Sequence, residues 1–192
     1  MDFFSKFIMS KRKRELPDII IVLRGVPGTG KTTTAHQLYD LFKIDYDYYV
    51  EIISRDTKRL AHCRKHGVDY QSSFRDPVFN THVRDVFYED LYHHLNHYRN
   101  NVKVPTVTII DATNTKLADI KHTLWTIRVT GISKIKSTDV YIYTKRTEHG
   151  STHGVPQCIM ERFREELKES DEWLKVNSKD YNLKIVNKVA LK

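Results

Sequence analysis

The chain has little that would mark it for export or for a membrane. Its two cysteines, Cys63 and Cys158, stand far apart in 192 residues, so no disulfide framework is encoded. No apolar run approaches the ~20 residues that a membrane-spanning helix needs. Lys6 and the run Lys11-Arg12-Lys13-Arg14 interrupt any signal-peptide core at the N-terminus. These absences predict a reduced, intracellular protein, cytoplasmic or nuclear, with no membrane partner. The basic run itself reads either as a nuclear-import signal or as a frayed basic terminus. No repeat and no low-complexity linker divides the chain, and 40% hydrophobic with 29% charged residues suits one globular domain. Acidic residues are outnumbered, 24 against 32 basic, giving a net charge of +8 and a pI near 9.4. Such a balance points to phosphate-rich partners, nucleic acid first, or merely to solubility.

Glycine is also scarce. There are seven, and three of them, Gly25, Gly28 and Gly30, fall within Gly25-Val26-Pro27-Gly28-Thr29-Gly30-Lys31-Thr32. That stretch fits glycine, four residues, then Gly-Lys-Ser/Thr, the phosphate-binding loop (P-loop). The aliphatic run Ile19 to Leu23 leads in and a helix-compatible segment, Thr33 to Lys43, leads out. Glycines let the backbone approach an anion, and loop N–H groups with the helix N-terminus point at the phosphates. Gly25, Gly28, Thr29, Gly30, Lys31, Thr32 and Thr33 are therefore the expected nucleotide-binding residues. Lys31 supplies charge near the β- and γ-phosphates, and Thr32 a hydroxyl for Mg²⁺. A nucleoside triphosphate, ATP or another, is the expected donor.

Strands are predicted at Ile19–Leu23, Val50–Ile53, Thr106–Ile110, Val140–Tyr143 and Leu183–Val189. Helices are predicted after the glycine loop, at Arg55–Lys65, from Pro77 to about Tyr98, at Lys116–Val129, and as a long helix opened by Pro156. The Pro77 helix shows Val83, Phe87, Leu91 and Leu95 at helical spacing, and the last shows Met160, Phe163, Leu167 and Leu174. The alternation predicts an α/β fold, a parallel sheet of four to five strands with helices on both faces. Residues 1–18 read as a mobile lead-in and 19–192 as the domain. Ligands then gather at the carboxyl ends of the strands. That rim collects the glycine loop, Ser54-Arg55-Asp56, Asp111-Ala112-Thr113-Asn114 and the polar loop Thr144–Gly154.

At that rim Asp56 can take a proton from an attacking hydroxyl, or serve only as an acid in a helix's first turn. Arg59 shares its helix face and can grip an acceptor phosphate, or form a plain surface ion pair. Asp111 ends a strand where an acid joins the Mg²⁺ shell. Thr113 and Asn114 can cap the next helix. Arg146 can steady charge on the γ-phosphoryl from a closing loop, or be a solvated arginine. His93 and His97 lie one turn apart without a third ligand, so surface histidines are the better reading. Tyr46, Tyr48 and Tyr49 offer base stacking or strand-edge packing.

Four signatures in this order make the chain resemble the 5′-hydroxyl polynucleotide kinases. They are the glycine loop, Ser54-Arg55-Asp56-Thr57-Lys58-Arg59, Asp111-Ala112-Thr113-Asn114-Thr115, and a lid from Lys145-Arg146 through Thr152-His153-Gly154-Val155-Pro156. The resemblance implies a P-loop kinase that moves the ATP γ-phosphate to 5′-hydroxyl ends of RNA or DNA, with Mg²⁺. It places the general base on Asp56, the acceptor-gripping arginine on Arg59 and a lid arginine on Arg146. Lys31 completes the catalytic set. Arg55, Asp56, Arg59, Thr113 and Asn114 become the substrate-binding set, and Thr32 and Asp111 the metal set. Gly150 stands where the family commonly has a second lid arginine, and Ala112 fills one of two acid positions. A small-molecule kinase and an ATP-regulated nucleic-acid-binding protein without catalysis are the alternatives.

Overall fold

The computed structural model describes residues 17–101, 104–131, 138–146 and 157–187. The lead-in before Pro17, the lid from residue 147 to Pro156 and the end of the last strand beyond residue 187 lie outside them. The elements are β1 (Asp18–Arg24), α1 (Lys31–Asp40, continued by a π-helical turn Leu41–Asp45), β2 (Tyr49–Ser54), α2 (Arg55–His66), α3 (Tyr70–Ser73), α4 (Pro77–Asn101), β3 (Thr106–Asp111), α5 (Leu117–Val129), β4 (Thr138–Thr144), α6 (Gln157–Asn177) and β5 (Leu183–Asn187). Strand order is β2-β3-β1-β4-β5, and every pairing is parallel. The fold class read from the alternation is the one observed.

Register aligns the rim. Ser54 pairs with Asp111, Asp111 with Leu23, and Arg24 with Thr144. The loops that leave β1, β2, β3 and β4 therefore start side by side. Central β1 is buried along its whole length because helices cover both faces of the sheet. On one face Ile20, Val22, Ile110 and Ile142 meet Phe87, Leu91 and Leu95 of α4, Ile120 and Leu124 of α5, and Leu174 of α6. On the other, Ile19, Ile21 and Leu23 meet Ala35 and Leu38 of α1, then Phe42 and Tyr48. Each large side chain so buried contributes about 1.5–3 kcal/mol. Tyr48 thus packs, edge-on to Phe42 at 5.5 Å, rather than offering a stacking face.

Local differences from the sequence reading have identifiable causes. Asp18 belongs to β1 and not to a mobile lead-in. Its Oδ1 accepts from Thr106 N at 2.8 Å and from Thr106 Oγ1 at 2.9 Å, which anchors the strand start. α1 begins at Lys31, because left-handed Gly30 (φ 74°) turns the chain directly into the helix. Thr113 and Asn114 do not cap α5, whose N-cap is Lys116 with no side-chain bond. Asp76 caps α4 as expected, its Oδ1 accepting from Val78 and Phe79 N–H. α3 was invisible in the pattern; Asp69 starts it by accepting from Ser72 N at 2.9 Å.

α4 also carries a pH-sensitive brace. His94 Nε2 sits 3.2 Å from Thr108 Oγ1 of β3. Burial pushes the imidazole down to about 4, with His97 acting the same way and Asp90 opposing. The unfolded chain takes up this proton near pH 6.5, whereas the folded chain refuses it until about pH 4. Stability is therefore fully present above the higher value and falls through that window. The loss is on the order of 2–3 kcal/mol by about pH 4.5. Urea unfolding at about pH 7 and pH 4.5 is expected to show that this part of the acid loss disappears in His94→Gln.

Candidate active site

The glycine loop is held by its own side chains. Thr29 Oγ1 and Lys31 Nζ both donate to the Val26 carbonyl at 2.9 Å. Gly25 (φ 146°) admits no side chain, since a Cβ would collide with the Lys145 carbonyl and lie 2.9 Å from Thr29 Oγ1. Gly25 N also donates to Thr113 O, and Lys145 N to Arg24 O, so the loop is tied to the chain leaving β3 and β4. Lys31 is nearly buried. Burial lowers its pKa from the usual 10.5, while Asp111 and Asp56 pull it back up. Thr33 lies exposed in the first turn of α1.

Thr32 Oγ1 donates to Asp111 Oδ2 at 2.9 Å. The two metal candidates, 79 positions apart, thus meet at the mouth of the loop. Burial raises Asp111 above the ordinary carboxylate value; the Thr32 bond and Lys31 lower it again, and Asp56 adds to the rise. A hydroxyl and one carboxylate are hard oxygen donors that fit Mg²⁺, which keeps waters and substrate phosphates as its other ligands. Among the described residues no group of three His, Cys, Asp or Glu forms an all-protein cage. His93 instead lies near Glu89.

Asp56 is exposed in the first turn of α2. Its charge acts on Lys31, Asp111, Arg59 and Tyr70. The acid and the phosphate cradle therefore lie at one rim of the sheet.

The two arginines of the same signature sit differently from the sequence expectation. Arg55 pairs with Asp119 at 3.0 Å and donates to Tyr88 Oη at 3.3 Å. Arg59 is 5% exposed. Its Nη1 donates to the Ser73 carbonyl and hydroxyl, its Nη2 to Asn80 Oδ1 at 2.7 Å, and its plane lies 4.0 Å from the Phe74 ring centroid. In this geometry both guanidinium groups brace the wall behind Asp56. Asn114 is likewise internal. Left-handed at φ 47° and fully buried, it donates from Nδ2 to Leu23 O at 2.9 Å. It joins β3's exit to β1 and does not reach an acceptor. Thr113 contributes its carbonyl to Gly25 N.

Arg24 was not anticipated. It is fully buried at the end of β1, where Nε donates to Asn114 O, Nη1 to Thr144 Oγ1 and Asp171, and Nη2 to Ser170 Oγ. Asp171 of α6 also pairs with Arg146. One carboxylate thus links the glycine loop's root to the chain that leaves β4. An arginine directly after five aliphatic residues was the available signal; nothing in the sequence marked Asp171. Next to this link lies a cavity of about 530 Å³, lined by Val26, Lys145, Arg146, Arg164, Leu167 and Lys168 among others.

Residues 20–136, more than half of the chain, match the sequence family described as an AAA domain. The chain belongs to that AAA domain family. The P-loop architecture of the AAA domain implies binding of a nucleoside triphosphate and kinase-like or triphosphatase chemistry. No curated protein matches the chain in sequence. Solved structures similar to it include APE1195 (16% identity, TM-score 0.44, 85% of this chain and 75% of that one). Kti12 from Chaetomium thermophilum in complex with ADP-AlF3 is 17% identical, with TM-score 0.42 over 77% and 79% of the chains. A structure from the PezAT chromosomal toxin–antitoxin system of the human pathogen Streptococcus pneumoniae is 16% identical, with TM-score 0.45 over 92% and 63%. No described helix of this AAA domain is long and apolar enough to cross a membrane.

Proposed function

We propose that the protein is an ATP-dependent kinase of 5′-hydroxyl polynucleotide ends, RNA or DNA. The observation that carries the reading is Asp56: an exposed carboxylate at the rim beside Asp111, whose charge reaches Lys31 and Asp111. It is separate from the Thr32–Asp111 pair that would hold Mg²⁺. An acid so placed has a use in transfer to a hydroxyl that mere nucleotide binding would not need.

The acceptor oxygen forms the new bond to the γ-phosphorus, and its proton passes to the Asp56 carboxylate. The bond from the γ-phosphorus to the bridging oxygen breaks, and ADP leaves with that electron pair. Lys31 gives up the Val26 carbonyl and donates to the phosphates. Thr32 and Asp111 would hold Mg²⁺, which when bound would supply charge neutralisation to the phosphates. Arg146, 49% exposed at the lid root, is positioned by Asp171 beside the cavity, whose size suits a nucleoside. Arg59 acts through the wall it braces.

The net charge of +8 favours a polyanionic acceptor over a small neutral one. Single-stranded 5′-phosphorylated oligonucleotide is expected to inhibit the reaction competitively with the acceptor, and raising salt from about 50 to 200 mM should weaken that inhibition at least tenfold. Inhibition independent of salt, with transfer to a free nucleoside, would move the reading to a small-molecule kinase.

A further inference from the structure

Beside Asp56 stands an aromatic group that the reaction described above does not use. Phe74 follows α3 and is 48% exposed. One ring face is covered by the Arg59 guanidinium at 4.0 Å, and the ring meets Tyr70 edge-on at 5.2 Å and 87°. Arg59 stands one turn after Asp56 on α2, so the ring packs against the helix that carries the acid. A half-exposed ring fixed in one orientation by its neighbours can receive a flat partner without further ordering. Its setting is rigid. Arg59 is buried and bonded to Ser73 and Asn80, and Asn80 Nδ2 donates to the Phe74 carbonyl at 2.9 Å.

We propose that Phe74 is the platform on which the terminal base of the acceptor strand stacks, so that the hydroxyl of that same nucleotide meets Asp56. This rests on the polynucleotide reading. Three features select a base as the occupant. The ring is flat and open on one side. The cation behind it strengthens stacking without competing for the open face. Arg59 ties the platform to α2 one turn from Asp56, so a nucleotide held by its base brings its 5′-hydroxyl toward the carboxylate. Stacking is tolerant of sequence, since every base has a π-face. The protein is therefore a reader of the presence of a terminal base and not of its identity.

The test compares wild-type, Phe74→Ala and Phe74→Trp on 5′-hydroxyl oligonucleotides that carry either a normal or an abasic 5′-terminal residue. Phe74→Ala is expected to raise KM for the normal acceptor by about 5- to 150-fold with little change in kcat. It should leave the abasic acceptor unchanged, and Phe74→Trp should restore KM. A parallel binding measurement, with 2-aminopurine as the terminal base, needs no turnover. Wild-type should quench its fluorescence and Phe74→Ala should not. Equal losses on both acceptors, or equal quenching by both proteins, overturn the platform. Absence of transfer by wild-type to every oligonucleotide overturns the polynucleotide kinase reading, while the quenching comparison still decides the platform. Failure of wild-type to bind oligonucleotide overturns both.

Discussion

Replacing Asp56 by Asn is expected to lower phosphoryl transfer by two to four orders of magnitude, about what a positioned general base contributes. The same variant should bind ATP as well as wild-type or better. The native carboxylate faces the cradle without forming it: Thr29 and Lys31 shape the loop through the Val26 carbonyl, and Thr32 meets Asp111. Removing a negative charge from beside the triphosphate also removes repulsion. The bonds of Arg59 to Ser73 and Asn80 do not involve Asp56, so the wall should stay in place. Transfer kinetics under saturating substrates, set against nucleotide titration by calorimetry, separate the two effects. Transfer at the wild-type rate by Asp56→Asn would remove Asp56 from the chemistry. Loss of ATP binding in that variant would make Asp56 part of the nucleotide site instead.

The second large effect concerns stability. Arg24→Met is expected to destabilise the protein by about 3–5 kcal/mol, the usual result of stripping one partner from a buried ion pair. Arg24 is fully buried, and its guanidinium satisfies Asn114 O, Thr144 Oγ1, Ser170 Oγ and Asp171 at once. Without it, Asp171, whose side chain is only 12% exposed, keeps just the exposed Arg146 as a charged partner among the described residues, and the buried Thr144 hydroxyl loses a donor. Pairing the change with Asp171→Leu should recover more than half of the loss, because no lone charge then remains. Denaturant unfolding of the two single variants and the double variant measures this. Full additivity would show that the two side chains do not depend on each other.

The parallel sheet and the meeting of Thr32 with Asp111 were legible because both follow from order along the chain. Apolar runs alternate with amphipathic ones, and loops leaving parallel strands must share a rim. Asp56 was legible for the same reason. What the sequence hid depends on side-chain partners far away in the chain. Arg59 and Asn114 have residue types that suit an acceptor site, yet Ser73, Asn80 and Leu23 claim their donors. Arg55 is claimed by Asp119 and Tyr88. α3, a single turn with no periodicity to detect, placed Tyr70 against the acid. Local pattern reports which faces are buried; it does not report which polar groups are already spoken for.

The central claim is that the cradle and Asp56 together serve a nucleic-acid end. Its most direct test offers ATP labelled at the γ-phosphate, with Mg²⁺, to 5′-hydroxyl RNA, 5′-hydroxyl DNA, their 5′-phosphorylated counterparts and a panel of free nucleosides. Label on the unphosphorylated oligonucleotides alone, lost in Asp56→Asn, is the predicted result. Label on a nucleoside but on no oligonucleotide, or release of free phosphate with every acceptor unlabelled, would contradict it.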